Sequence, residues 1–226
     1  MAVIGLRSAL GFDVHPASAN NKFRAERFKL FRALVDDVLL TKNTCRILDV
    51  GGTADYWSKF GAGLPEGVKI TIVDKYDRFG EEGSNVEFEV GDACDLSQHA
   101  DNSFDIVHSN STIEHVGLWG QMQQMASEVR RLAPRYFVQT PNYWFPIEPH
   151  ARTPLIHYLP EPLRASLVLR KTRGWWGPAA DLGEAMSWVH SAILLDARQM
   201  AFLFPDASIK REKFYGLTKS LMAIKR

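Results

Sequence analysis

From residue 45 to about residue 140 the chain repeats one pattern, a short β-branched run followed by a stretch with helical spacing. Runs at 46–50, 68–74, 86–90, 104–108 and 136–139 are the strand candidates, and residues 118–132 give the clearest helix among them. Strands that alternate with helices need right-handed crossovers, which produce a mostly parallel sheet covered by helices on both faces. The fold class is therefore α/β.

The flanks differ from this core. Residues 18–40 predict a helix: Ser18 is a candidate cap, and Phe23, Phe28, Phe31, Leu34, Val35 and Val38 recur at helical spacing with Lys and Arg between them. Such a basic amphipathic helix packs on its own core or lies on a membrane surface, and Asp36 and Asp37 favour the core. At the other end, residues 207–214 and 218–224 read as two strands joined around Gly216, an antiparallel pair at the sheet's end. Residues 141–188 interrupt the rhythm with Pro141, Pro146, Pro149, Pro154, Pro160, Pro162 and Pro178, and with four of the six tryptophans, Trp144, Trp175, Trp176 and Trp188. An insertion of that length reads as a lid over a pocket, against the plainer reading that its rings only roof the sheet. The expected organisation is a single domain: an N-terminal helical segment (1–43), a cofactor-binding core (44–140), a lid (141–188), and a C-terminal helix and strand pair (189–226).

Composition narrows the classes of function. The 226 residues carry 27 basic and 26 acidic side chains, a net charge of +1, so the basic excess of a nucleic-acid-binding protein is lacking. No apolar run approaches the roughly 18 residues needed to span a bilayer, and residues 1–11 do not read as a signal peptide. The two cysteines, Cys45 and Cys94, form neither a disulfide framework nor a zinc spacing, which points to a reducing cytoplasm. A homodimer is left open.

In an open α/β sheet, ligands bind beyond the carboxyl ends of the strands, where the strand order reverses. The first strand ends Asp49-Val50-Gly51-Gly52-Thr53 and the second ends at Asp74, with Lys75 beside it. The third leads into Gly91-Asp92-Ala93, and the fourth into Ser109-Asn110-Ser111. Glycines after the first strand let the backbone turn and approach a ligand closely. Asp74 stands 23 residues after Gly51, a placement suited to a carboxylate that accepts from both ribose hydroxyls. Asp92 suits an exocyclic amino group, and Ala93 leaves room for a ring. Three acids, Asp49, Asp74 and Asp92, would repel a pyrophosphate and welcome a ligand with cationic groups.

These residues carry a resemblance. Ile47-Leu48-Asp49-Val50-Gly51-Gly52, Thr71-Ile72-Val73-Asp74, Val90-Gly91-Asp92-Ala93, Ser103-Phe104-Asp105-Ile106-Val107, Ser109-Asn110-Ser111 and Ile113-Glu114-His115-Val116 together resemble the class I S-adenosylmethionine-dependent methyltransferases. Within that class the stretch is similar to the type 11 group, related to ubiquinone and menaquinone methyltransferases. The resemblance covers about residues 44–140 and the C-terminal strand pair. It implies a Rossmann-like seven-stranded sheet and S-adenosyl-L-methionine as cofactor. It places Gly51 and Gly52 at the cofactor's methionine part, Asp74 at the ribose, Asp92 and Ala93 at the adenine, and Asn110 beneath the sulfonium. The family's first motif spaces three glycines two apart, whereas Thr53 and Asp55 stand at the later two places here, so Thr53 would bring a hydroxyl to the cofactor.

Methyl transfer to a small-molecule acceptor follows as the expected activity, on oxygen or carbon of a sugar, lipid, quinone or other secondary metabolite. A base is required where the acceptor must lose a proton, and His115 and His150 are the candidates. His108 reads as a core or cofactor-side histidine, and His157 with Tyr158 as a wall of the acceptor pocket. No metal is expected, since nothing in the spacing of Glu114, His115, Glu148 and His150 demands one. Trp144, Phe145, Trp175, Trp176 and Trp188 suggest an apolar or ring-shaped acceptor, and Arg164, Arg170, Lys171 and Arg173 form a basic stripe that is either a solvated helix face or a contact for an anionic surface. Two alternatives stand beside this reading: a nicotinamide-dependent Rossmann oxidoreductase, which would need the third glycine that is missing after Gly51-Gly52, and a non-catalytic module that binds the cofactor.

Overall fold

The computed structural model of the protein describes residues 19–76, 85–171, 174 and 178–226. Five strands, β1 (Cys45–Val50), β2 (Val68–Asp74), β3 (Val86–Val90), β4 (Ile106–Asn110) and β5 (Arg135–Pro141), run parallel. Two short strands, β6 (Ile147–Glu148) and β7 (Thr153–Pro154), pair with each other apart from the main sheet. The last two, β8 (Ser208–Phe214) and β9 (Leu217–Lys225), form an antiparallel hairpin whose β9 adds to β5. The main sheet has seven strands in the order β3-β2-β1-β4-β5-β9-β8. Its order reverses between β1 and β4, and that is where a crevice opens in such a sheet.

Successive residues of β1 point to opposite faces, and the packing follows that alternation. Cys45 and Ile47 join a core with Phe31, Leu34, Val35 and Val38 of helix α1 (Ala19–Leu39). Leu48 and Val50 join a second core with Met122, Met125 and Val129 of helix α3 (Trp119–Leu132). The membrane alternative for α1 thus gives way to a packed helix, and no helix among the described residues is long and apolar enough to cross a bilayer. The candidate cap Ser18 lies outside the described residues.

The expected strands at 68–74 and 86–90 match to the residue, while the fourth begins two residues later than the expected 104–108. The side chain of Asp105 explains the shift: it accepts from the backbone N–H of Arg46 at 2.8 Å and pairs with Lys42, fastening the chain before the ladder starts. The described residues of the 141–188 segment form β6, β7 and the helices α4 (Glu161–Arg170) and α5 (Leu182–Val189), around a small core of Ala151, Ile156, Ala165, Val168, Ala185 and Val189. Helix α6 (Ala197–Leu203) carries a full capping box, with Asp196 accepting from the N–H of Gln199 and the Gln199 side chain accepting from Asp196 N–H.

Candidate functional site

The turn after β1 sets the geometry of the crevice. Gly51 has φ +73, and a Cβ there would stand 2.4 Å from Thr112 Oγ1. A Cβ on Gly52 would stand 1.7 Å from Asp49 Oδ2, so only glycine fits either place. Thr53 caps helix α2 (Ala54–Phe60), its hydroxyl oxygen accepting from Tyr56 N–H at 3.3 Å, which leaves its O–H free to donate. Together Gly51, Gly52, Thr53, Asp55, Tyr56 and Asn110 line a cleft at the ends of β1 and β4.

Asp49 reaches this cleft but is 1% exposed, and both its oxygens are engaged. Oδ2 accepts from Trp57 Nε1 at 2.6 Å and Oδ1 from His108 Nδ1 at 2.7 Å. His108 lies in turn against Phe31 and flat on Phe137, with ring centroids 4.7 and 5.7 Å away. His108, read as a core or cofactor-side histidine, is buried in the core and also borders the glycine cleft, and Asp49 holds the first strand, the following helix and β4 together. Tyr56 stacks on the same imidazole, and burial raises its phenol above the ordinary range, with the Asp49 charge adding to the effect.

Further along the strand ends, Asp74 closes β2 and accepts from Tyr76 N–H at 2.8 Å. Asp92 is fixed by the backbone N–H of Cys94 at 2.9 Å and faces Lys75 across the crevice at 3.3 Å. The Cys94 N–H bond, opposed by partial burial and assisted by Lys75, holds the Asp92 carboxyl below its usual range. Ala93 packs against the core beneath. The structure thus brings the ends of β1, β2, β3 and β4 to one edge.

Beyond Asn110 a second cavity of about 220 Å³ opens, and Asn110 and Arg24 line both. Its other walls include Ser111, Glu114, Gln139, Phe145, His150 and Lys219. Ser111 therefore lines this cavity and not the glycine cleft, with φ +60 and its hydroxyl donating to Gln139 Oε1 at 3.0 Å. Asn110 Oδ1 accepts from Arg27 Nη1 at 3.0 Å, and Arg27, buried in α1, pairs with Glu212 of β8 at 3.4 Å. Sequence reasoning missed Arg24, Arg27, Glu212 and Lys219. A signal for Arg27 was present, since it stands four residues before Phe31 on the helix's buried stripe, where an unpaired charge is too costly to be accidental. Burial pushes the Lys219 ammonium down to about 8, against the pull of Glu212.

The two candidate histidines meet beside this cavity, which His150 lines. His115 follows β4 and His150 follows the β6 strand, yet their Nε2 atoms lie 3.2 Å apart. Glu148 accepts from His150 Nδ1 at 2.7 Å. Burial lowers the His150 pKa, but the Glu148 bond and charge outweigh it and the pKa is raised. Buried Glu114 lies alongside, its carboxyl pushed up by desolvation. Of the expected aromatic wall, Phe145 alone among the described residues lines the cavity. Trp144 is 65% exposed with its Nε1 near Asp196, and Trp188 packs on the small core shared by α4 and α5. His157 donates to Tyr143 O at 2.9 Å and borders a separate hollow with Arg164. Trp175, Trp176 and Arg173 lie outside the described residues.

Strand order, glycine turn and acid-tipped strand ends define a Rossmann-like methyltransferase fold. Residues 48–135 match the methyltransferase domain family. That match takes in the glycine turn and the ends of β2, β3 and β4, and so supports a class I S-adenosylmethionine-dependent methyltransferase. A Pyrococcus horikoshii OT3 protein, PH0226, is similar in fold at 19% identity, with 92% of each chain covered and a TM-score of 0.53. So is the Burkholderia thailandensis 1,6-didemethyltoxoflavin-N1-methyltransferase, solved with 1,6-didemethyltoxoflavin and S-adenosylhomocysteine bound, at 15% identity over 99% of this chain and 86% of that one, TM-score 0.52. The chain spans 64% of the length of a longer match from Anabaena variabilis ATCC 29413, at 16% identity over 80% of this chain, TM-score 0.47. No curated protein matches the sequence.

Proposed function

We propose that the chain transfers the methyl group of S-adenosylmethionine to a small, anionic, hydroxyl-bearing acceptor seated in the cavity beside Asn110. One observation carries this reading: that cavity and the glycine-lined cleft share Asn110 and Arg24, so a methyl group above Asn110 would face both. The cofactor's methionine part lies on Gly51 and Gly52, its ribose on Asp74 with Lys75 nearby, and its adenine between Asp92 and Ala93. Asp49 supports this turn from beneath.

The acceptor's anionic group is held by Lys219 and Arg24, in place of the aromatic stacking expected from the tryptophans. Methyl transfer is an in-line displacement at a carbon already activated by the sulfonium, so alignment supplies most of the acceleration. His150 and His115 stand at the acceptor end as the groups that activate the nucleophile. Residues 141–188 form the acceptor-side cover of a single domain, and the protein works in the cytoplasm without nucleic acid.

The test is calorimetry followed by a transfer screen. S-adenosylhomocysteine should bind and raise the melting temperature while NAD does neither. Radiolabelled S-adenosylmethionine should then label hydroxy acids and sugar acids ahead of their neutral analogues. Stabilisation by NAD alone would return the oxidoreductase reading, and cofactor binding without labelling of any acceptor would favour the non-catalytic module.

A further inference from the structure

Glu114, His115 and His150 come together from two distant segments, with one ligand-capable atom of each lying within 4.8 Å of the others. The far nitrogens of the two imidazoles fix where their protons sit. His115 Nδ1 is 2.7 Å from the Ser191 carbonyl oxygen, which only accepts, so Nδ1 carries the proton. His150 Nδ1 is 2.7 Å from Glu148 Oε1, and Glu148 Oε2 is itself held by the backbone N–H of Ala151. An imidazole protonated on Nδ1 presents a lone pair at Nε2 when neutral. Two lone pairs therefore confront each other across 3.2 Å, and something positive has to lie between them.

A shared proton would satisfy the imidazoles alone. It would leave Glu114 Oε1 buried without a hydrogen-bond partner, since only Oε2 is engaged, by the Thr140 hydroxyl at 3.0 Å. Glu114 is 1% exposed, so that orphan oxygen is costly. A metal ion satisfies all three groups at once. Two nitrogens each about 2.1 Å from one ion and 3.2 Å apart subtend about 100° at it, between the octahedral and tetrahedral angles. The outer contacts fit as well, because metal-binding imidazoles commonly donate their other N–H to a carboxylate or a backbone carbonyl.

We propose that Glu114 Oε1, His115 Nε2 and His150 Nε2 bind a divalent first-row transition ion whose open coordination positions face the acceptor cavity. Two imidazoles and one carboxylate suit zinc, iron, cobalt or manganese better than magnesium or calcium. The inference rests on the reading of that cavity as the acceptor's, since Glu114 and His150 line it with Asn110. It departs from the sequence-based expectation of no metal, and it makes the two histidines ligands instead of bases. It also selects oxygen as the accepting atom. The acceptor hydroxyl binds the ion and releases its proton to water. The oxygen then attacks the methyl carbon, the C–O bond forms as the C–S bond breaks, and the electron pair returns to sulfur as a neutral thioether.

The test uses the full chain, tag-free and stripped with chelator, titrated with Co²⁺ and followed by visible absorption. One equivalent should bind with d–d bands, and zinc should displace it. His115→Ala and His150→Ala should each weaken binding by about 100-fold or more, and Glu148→Gln by about 10- to 100-fold. His115 is exposed, so its substitution tests the site without risk to the fold. Both alanine variants should bind S-adenosylhomocysteine as the wild type does. Cobalt bound no tighter by the wild type than by the His115→Ala/His150→Ala double variant overturns the metal site and leaves the pair as a hydrogen-bonded one. Failure of the wild type to bind S-adenosylhomocysteine would instead sink the methyltransferase reading, whatever cobalt does.

Discussion

Replacing Asp49 with Asn separates a structural role for this acid from direct cofactor binding. The Asp49 carboxylate receives two buried hydrogen bonds, from Trp57 Nε1 at 2.6 Å and from His108 Nδ1 at 2.7 Å. Both partners are donors here. Asparagine keeps one acceptor and turns an NH₂ against the other donor. The loss is one charge-assisted hydrogen bond, worth about 1.5–3 kcal/mol, plus about 1–3 kcal/mol for a donor left buried and unpaired. With the side chain 1% exposed, solvent screens little of this, and about 3–5 kcal/mol of destabilisation is expected. In a domain of this size each kcal/mol moves Tm by about 2–4 °C, so Asp49→Asn should melt roughly 10 °C below the wild type. Circular dichroism melts read this directly. Adding Trp57→Phe, which removes one donor, should recover part of the loss. A variant that melts within about 2 °C of the wild type but binds S-adenosylhomocysteine at least tenfold more weakly would refute the structural assignment.

Three further outcomes are expected. Asp74→Ala should weaken S-adenosylhomocysteine binding at least tenfold in calorimetry while Tm stays nearly unchanged, because its carboxylate accepts from Tyr76 N–H within the adjacent turn and does not tie distant elements together. Arg27→Ala should cost about 3–5 kcal/mol in urea unfolding, since it strands Glu212 in a buried site and releases Asn110. Lys219 titrates near 8 in the folded chain against an ordinary 10.5, so between these values the unfolded state binds more protons and stability rises with pH. If Lys219 holds an anionic acceptor as proposed, its charge is lost over the same window, and KM for that acceptor should climb above about pH 8 while cofactor affinity does not; Lys219→Met should flatten the profile.

The strands were legible because both faces of a parallel sheet are buried, leaving continuous β-branched runs such as 68–74 that end abruptly at Asp74. The same property blurred the start of β4, where Phe104 is as buried as the strand and only the Asp105 side chain marks the boundary. The glycine turn and the acids at the strand ends could be read from local spacing. The second cavity could not. Arg27 and Asn110 are 83 positions apart and His115 and His150 are 35 apart, so their meeting depends on topology and not on a motif. The two histidines could each be singled out, but the orientation of their rings is set by Ser191 and Glu148, which no periodicity connects.

The Arg27 tie has a practical consequence for anyone dissecting the molecule. The family match begins at residue 48, well after α1, yet α1 supplies Arg24 to both hollows and clamps the strand-end amide between them. An excised fragment trimmed to the recognisable segment would keep its glycines and acids but lose a wall. The two hollows are thus built from more of the chain than the matched segment, and α1 forms part of their walls.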